Sequence, residues 1–185
     1  MTEMMLHGRR MLFLLVNGFD AGTYEKMRHC LEINGANIEI ASPTRSEVLL
    51  SAGHEVRETS NISFTAALEQ TYDAVVIADG ITARQLQNNH SVMQLIKITG
   101  QHKGSLVAAV GDGVLELIHS GIVKGAVISA SPDMEAELLH AGARRGDAPL
   151  SISRNIFTAR RDADLAAFCQ AIIDYFIRGI RAKAA

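Results

Sequence analysis

One stretch, residues 105–118, constrains the fold more than any other part of the sequence. It opens with small and branched apolar residues over 105–110, a pattern typical of a buried parallel strand. The turn Gly111-Asp112-Gly113 follows, and apolar residues then recur at helical spacing. A sharp strand-to-helix turn of this kind is where many enzymes place a nucleophile. This turn contains no Ser, Cys or Thr, so the sequence predicts the elbow without the usual nucleophile.

The length of 185 residues fits one domain. We predict that domain over residues 11–178, between a flexible leader (1–10) and a C-terminal tail (179–185). A formal charge of −2 supplies no basic field for nucleic acid, and no apolar run approaches the roughly 20 residues of a membrane span. Two cysteines argue against a disulfide framework and favour a reducing, cytoplasmic location.

Patterns of buried strands alternate with helical patterns along the chain. This alternation predicts an α/β fold in which a doubly wound, mostly parallel sheet carries helices on both faces. A weak period-two pattern within 47–58 indicates a small β-hairpin insertion. The helix predicted at 164–177 places Phe168, Ile172 and Phe176 on its inner face. The strands predicted for the parallel core are 11–16, 37–41, 73–78, 105–110 and 126–130.

Three acidic residues, Asp20, Asp79 and Asp112, each follow a strand of the predicted core. Ligands of such folds bind beyond the carboxyl ends of the strands, so we expect the three carboxylates to meet at one pocket. Carboxylates separated by only a few ångströms repel one another unless a positive group lies among them. A hard divalent cation such as Mg²⁺ or Ca²⁺ is one candidate. Alternatively, the acids point apart and cap helices.

The remaining residues show no motif for a cofactor or a metal. The seven histidines are scattered, and none pairs with another His or a Cys at metal-ligand spacing. The glycine-rich turns form neither a Walker nor a Rossmann fingerprint. Cys30 and Cys169 fall on apolar faces of predicted helices, where cysteines pack as small hydrophobes. We therefore predict no cofactor and a core-packing role for both thiols.

A set of short segments occurs in an informative order and spacing: 15–20 (LVNGFD), 72–80 (YDAVVIADG), 107–113 (VAAVGDG), 121–125 (GIVKG), 140–143 (HAGA), 155–158 (NIFT) and 164–169 (DLAAFC). Together they resemble the ThiJ/PfpI family of the class I glutamine amidotransferase-like superfamily. The resemblance covers roughly residues 10–178. It implies a flavodoxin-like α/β domain that forms a homodimer.

The resemblance also implies a departure from the family at the elbow. Family members carry a nucleophilic Cys followed by His and Gly, and the matching positions here are Gly111, Asp112 and Gly113. Glycine has no side chain and cannot be a nucleophile. Three roles stay open for Asp112: a cap that satisfies the helix dipole, a group that binds a cation or a ligand donor, or a nucleophile or base.

Other site positions follow from the same resemblance. The family's acid after the first strand is matched by Asp20 or, in an alignment shifted by three residues, by Thr23. The Gly-Gly turn that helps to form the family's oxyanion hole is matched by Asp79-Gly80. Arg160 matches a family arginine near the site, and it could neutralise the three acids.

We therefore predict a ThiJ/PfpI-like protein without the nucleophilic cysteine. It would be a non-catalytic protein that binds a small molecule or acts in regulation or association. The alternatives are a carboxylate-based hydrolase or lyase that uses Asp112 and Asp20, and a structural subunit with a vestigial pocket. Candidate pocket residues are Asp20, Asp79, Gly80, Gly111, Asp112, Gly113 and Arg160.

Overall fold

The computed structural model describes residues 5–79, 85–86, 89–161, 163 and 165–184, with side chains described up to residue 179. Within these residues a seven-stranded sheet runs in the order β10-β11-β7-β6-β1-β2-β5. All its neighbouring strands pair in parallel except β10 with β11. The strands are β1 (Arg10–Leu14), β2 (Asn37–Ser42), β5 (Ile62–Ser63), β6 (Ala74–Ile77), β7 (Leu106–Val110), β10 (Leu150–Ser153) and β11 (Ile156–Ala159).

The central strands are apolar throughout because both faces of the sheet are covered. Along β1, Leu12 and Leu14 belong to one core cluster, and Met11 and Phe13 belong to the other. Side chains alternate between faces along a strand, so one short run of sequence supplies both cores. This mixed, mostly parallel sheet confirms the predicted fold class.

The helices are divided between the two faces. Buried residues of α1 (Ala21–Ile33) and α6 (Leu165–Ala184) belong to the same cluster, where α6 contributes Phe168, Ile172 and Phe176. These three side chains are at most 1% exposed, as the helical spacing predicts. The opposite cluster contains buried residues of α2 (Phe64–Ala67), α3 (His90–Gln101), α4 (Val114–His119) and α5 (Glu135–His140).

The strand predicted at 126–130 is not part of the parallel core, and that prediction is wrong. The strand that forms within this range, β8 (Val127–Ile128), pairs with β9 (Arg144–Arg145) in a separate two-stranded sheet. The place beside β7 is taken by β11. Strand β8 instead contacts β10, where the Ser151 hydroxyl donates to the Val127 carbonyl at 2.6 Å. The apolar pattern identifies a strand but does not say which sheet it joins.

The predicted hairpin insertion is confirmed. Strands β3 (Val48–Leu50) and β4 (Arg57–Thr59) pair antiparallel.

Two structural features lie near the predicted domain boundaries. In the segment predicted as a flexible leader, Leu6 is fully buried and its amide donates to the Asn34 carbonyl at 2.8 Å. Helix α6 continues to Ala184, past the predicted boundary at residue 178.

Candidate functional site

The elbow lies at the carboxyl end of β7. The strand ends at Val110, the turn Gly111–Gly113 forms one 3₁₀ turn, and α4 begins at Val114. Gly111 has φ +56°, in the left-handed region that disfavours side chains. Gly113 lies close to the neighbouring strand, because a Cβ there would be 2.9 Å from the Ile77 carbonyl oxygen. Both glycines are therefore required by the turn as it stands.

Gly111 faces a second constraint from the side chain of Asp79. A Cβ at position 111 would lie 2.6 Å from Asp79 Oδ2, and closer still to Oδ1 and Cγ. Real Cβ atoms essentially never approach a heavy atom within 3.0 Å. The space that any side chain at position 111 would enter is therefore occupied by the carboxylate of Asp79.

Asp79 follows β6, the strand beside β7, and is only 1% exposed. Its Oδ1 accepts a hydrogen bond from the Asp112 backbone amide at 3.0 Å. It also forms a two-point ion pair with Arg161, whose Nη2 donates to Oδ1 at 2.9 Å and whose Nε donates to Oδ2. Charge-assisted bonds of this two-point kind are strong and directional. They hold the buried carboxylate over the elbow.

Arg161 connects the acids that the sequence singled out. Its Nη2 also lies 3.4 Å from Asp112 Oδ2. The hydrogen bonds and charge of Asp79, with smaller contributions from Asp112 and Asp20, raise the pKa of the Arg161 guanidinium. The Arg161 side chain is 66% exposed and that of Asp112 is 36% exposed. One face of this cation–carboxylate cluster is therefore open to solvent.

Asp20 lies beside the cluster but is engaged locally. It caps α1, and its Oδ1 accepts the Thr23 amide at 2.7 Å. Its own amide donates to the Asp79 carbonyl at 3.1 Å, which links the ends of β1 and β6. The structure thus brings the three predicted acids to one edge of the sheet, with one of them serving as a helix cap.

The cation on Asp79 is Arg161, one residue beyond the Arg160 named from the sequence. Arg160 Nη1 donates to the Asp147 carbonyl at 3.3 Å. The turn after β11, closed by the Ala163 amide on the Arg160 carbonyl, directs the two neighbouring side chains to different partners. Gly80, the remaining candidate, lies outside the described residues.

Glu116 is an acidic residue near the elbow that the sequence analysis did not single out. It lies in the middle of α4 and is 0% exposed. Neither carboxylate oxygen has a hydrogen-bond partner among the described residues. Burial raises the pKa of Glu116 to about 7. Burial without a partner therefore favours the protonated form of this carboxyl.

The two cysteines pack as predicted. Cys169 on α6 is 1% exposed and belongs to the core cluster, and the partly buried Cys30 on α1 packs against that cluster. Burial, and then the neighbouring Cys30, raise the pKa of the Cys169 thiol. A thiol held in its protonated form is a poor nucleophile.

The described part of the chain contains no group of three or more His, Cys, Asp or Glu side chains placed to hold a metal ion. Among the same residues, no helix has the length and apolarity needed to cross a membrane.

The fold and the elbow define a class of protein, a doubly wound α/β domain with a strand–turn–helix elbow at the carboxyl ends of its strands. The chain belongs to the DJ-1/PfpI family, whose model matches residues 9–175. This match confirms the resemblance drawn from the sequence segments. At the level of sequence, no curated protein matches the chain.

Solved structures support the same fold. A ThiJ/PfpI domain protein from Brachyspira murdochii superposes with a TM-score of 0.81 at 20% identity, covering 91% of this chain and 97% of that one. DJ-1beta from Drosophila melanogaster gives a TM-score of 0.81 at 18% identity, covering 91% and 90%.

A two-domain protein from Anabaena variabilis, with DJ-1/ThiJ/PfpI-like and ferritin-like domains, gives a TM-score of 0.84 at 22% identity. That match covers 90% of this chain but only 47% of the Anabaena protein. The present chain therefore spans about half the length of that relative.

Sequence patterns gave little warning of Arg161 and Glu116. Arg161 follows another arginine, a pair typical of solvated surface. Glu116 falls between the apolar positions of α4, where helical spacing predicts a polar side chain facing outward. The one available signal was the unusual charge in a short apolar segment, residues 114–118.

Proposed function

We propose that this chain is a DJ-1/PfpI-family protein that does not use a cysteine nucleophile and acts by binding at its elbow. The observation that carries the proposal is the position of the Asp79 carboxylate, which occupies the space a side chain at position 111 would need. Two N–H groups of Arg161 and the Asp112 amide hold that carboxylate in place. This arrangement leaves no space for a side chain at position 111, which supports the proposal.

The open face of the cluster favours a binding role. Arg161 and Asp112 present a guanidinium and a carboxylate side by side to solvent. Such a pair can bind a small polar molecule that offers both an acceptor and a donor. We propose this small-molecule ligand for the elbow. From the family likeness we also propose a homodimer, which light scattering would test by its mass.

The alternative, a hydrolase or lyase that uses Asp112 and Asp20, has less support. Its two carboxylates would have to act on one substrate. Asp20 Oδ1 instead accepts the Thr23 amide as a helix cap. Asp112 Oδ2 lies 3.4 Å from Arg161 Nη2, so this carboxylate is already engaged by a cation.

The proposal is tested by activity and by binding. Family-type glyoxalase, deglycase and peptidase activities that need a thiolate are expected to be absent, in the native chain and in a Cys30→Ser, Cys169→Ser double variant. Robust turnover of methylglyoxal by both proteins would contradict the proposal. A thermal-shift screen of small polar molecules should then find compounds whose stabilising effect is lost in Asp112→Ala and unchanged in Glu137→Ala, an exposed acid on α5.

A further inference from the structure

A surface cavity, which we call the amino-edge pocket, lies at the edge of the sheet opposite the elbow. It is formed where the loop from α3 enters β7 and where the turn between β10 and β11 leads into β11. Its volume is about 380 Å³, at the small end of the range of about 300–1,000 Å³ that is usual for ligand sites. The lining residues are Gly100, Gln101, His102, Lys103, Gly104, Arg154, Asn155 and Tyr175.

The charge of the amino-edge pocket is of one sign. His102, Lys103 and Arg154 contribute cationic or donor groups, and no carboxylate is among the lining residues. None of these three side chains forms an ion pair with a residue in the described part of the chain. The charges of Lys103 and Arg154 are therefore available to a ligand.

The floor of the amino-edge pocket is held by a hydrogen-bond network. The Asn155 amide nitrogen donates to the carbonyls of Gly100 and Ser105, each at 2.9 Å. The Tyr175 hydroxyl donates to the same Ser105 carbonyl at 3.1 Å. These bonds fix both ends of the loop that carries His102 and Lys103.

The same network orients the His102 ring. The Ser105 hydroxyl donates its proton to the Tyr72 carbonyl at 3.0 Å. It therefore accepts, at 3.0 Å, the proton on His102 Nδ1. The ring is held at Nδ1, while Nε2 has no partner among the described residues and remains for a ligand.

Arg154 adds an independent observation. It has φ +60° in the two-residue turn between the paired residues Ser153 and Ile156. Glycine or asparagine is usual in that conformation, and an arginine there is strained. Its Nη2 donates to the carbonyls of Ile122 and Lys124 at 3.4 and 3.2 Å, which orients the guanidinium and leaves Nε and Nη1 without a described partner. Backbone strain retained at a residue with an oriented charge points to a function for that charge.

We propose that the amino-edge pocket binds a small phosphate-bearing anion. A tetrahedral phosphate offers several acceptor oxygens, which suits the guanidinium of Arg154 and the ammonium of Lys103, and a P–O–H group of a protonated phosphate can donate to His102 Nε2. A planar carboxylate uses fewer of these donors. The site is separate from the elbow, so it stands or fails independently of the function proposed there.

The first test is a titration of the ¹⁵N-labelled chain with inorganic phosphate at low ionic strength, followed by amide chemical shifts. We expect saturable shifts at residues 100–104 and 154–155. A parallel titration with acetate should give weaker binding at the same residues. Three results would overturn the proposal: no saturable shifts, shifts confined to the elbow, or acetate binding as tightly as phosphate.

The second test uses variants with matched controls. Lys103→Ala and Arg154→Gly should each weaken phosphate binding about tenfold or more, as expected for a lost charge-assisted bond. Lys97→Ala, an exposed lysine on α3 that does not line the pocket, should leave binding unchanged. Equal weakening by Lys97→Ala would mean that only the general charge of this surface attracts phosphate, and the pocket would be rejected.

Arg154→Gly also separates a ligand role from a structural one. Because glycine relieves the positive φ, the variant should unfold at the same or a higher temperature while its phosphate binding falls. His54→Gly relieves a similar φ of +61° outside the pocket, and it should leave phosphate binding unchanged. A large loss of thermal stability in Arg154→Gly, with phosphate affinity unchanged, would show that Arg154 serves the turn alone.

Discussion

Asp79 and Glu116 are both buried acids beside the same elbow, and their surroundings are opposite. Asp79 is 1% exposed, and its carboxylate accepts the Asp112 amide and two N–H groups of Arg161. Glu116 is 0% exposed, and neither oxygen has a partner among the described residues. A buried carboxylate is tolerated when it is paired and shifts its pKa when it is not. Asp79 thus fixes the geometry of the elbow, whereas Glu116 makes the stability of the elbow helix depend on pH.

The largest effect on stability is expected from a side chain at position 111, where the Asp79 carboxylate occupies the space. Gly111→Ala should lower the free energy of unfolding by about 2–5 kcal/mol, because it combines a positive φ with a clash in a packed site. Chemical denaturation measures the loss. Gly121→Ala is the matched control, since Gly121 has φ +76° with no atom within 4 Å of a built Cβ, and it should cost only about 1–2 kcal/mol.

The same experiment has an internal check. In an Asp79→Gly background the clash is absent, so Gly111→Ala should then cost no more than Gly121→Ala. Equal costs of Gly111→Ala in both backgrounds would show that Asp79 does not restrict position 111.

The second effect is a pH dependence that originates from Glu116. The unfolded chain releases this proton near pH 4.5 and the folded chain near pH 7, so the folded state binds more protons between these values. Stability therefore falls as the pH rises through this window, by about 3 kcal/mol in total, and is flat with respect to Glu116 above it. Urea denaturation at several pH values measures the slope.

The control for this slope is a pair of acid-to-amide variants. Glu116→Gln should remove the Glu116 contribution to the fall in stability between pH 4.5 and 7. Glu137→Gln, at an exposed acid on α5, should leave the native slope in place. Identical slopes in the native chain and Glu116→Gln would mean that Glu116 is solvated or paired.

The third effect concerns the partner of Asp79. Arg161→Ala removes a two-point ion pair from a buried carboxylate and should lower the free energy of unfolding by about 2 kcal/mol. The expected cost is small for a buried carboxylate because the Arg161 side chain is 66% exposed, so water can replace part of its contact with Asp79. Thermal denaturation tests it against Arg57→Ala, an exposed arginine on β4. A loss of thermal stability no greater than that of Arg57→Ala would show that Arg161 does not stabilise the elbow.

The smallest effect on stability is expected at Asp112, on the solvent-exposed side of the cluster. Asp112→Asn removes the 3.4 Å contact with Arg161 but keeps the backbone amide that donates to Asp79. Exposed ion pairs contribute about 0–1 kcal/mol, so the free energy of unfolding should change by less than about 0.5 kcal/mol. A larger loss would show that Asp112 has a structural role beyond its backbone.

Local sequence patterns predicted the strands and helices of this molecule but not the partners of its charged side chains. The buried strands β1, β6 and β7 follow from runs of small and branched apolar residues, and Phe168, Ile172 and Phe176 follow from helical spacing. The sheet to which β8 belongs depends on contacts between distant segments, which periodicity does not encode. For the same reason the sequence could not separate Arg160 from Arg161.

The burial of Glu116 shows a further limit. A pattern of polar and apolar residues assigns one face of a helix to water. Helix α4 is six residues long, and Val114, Glu116 and Leu117 are all buried. Its surroundings, and not its own periodicity, decide which side chains lose water.

The crowding between Asp79 and position 111 couples these two positions in any redesign of the elbow, because a Cβ at 111 would lie 2.6 Å from Asp79 Oδ2. A library that varies position 111 alone therefore tests every new side chain against an unchanged Asp79 carboxylate. A library that varies both codons together also samples sequences in which residue 79 is small enough to make room for a side chain at 111.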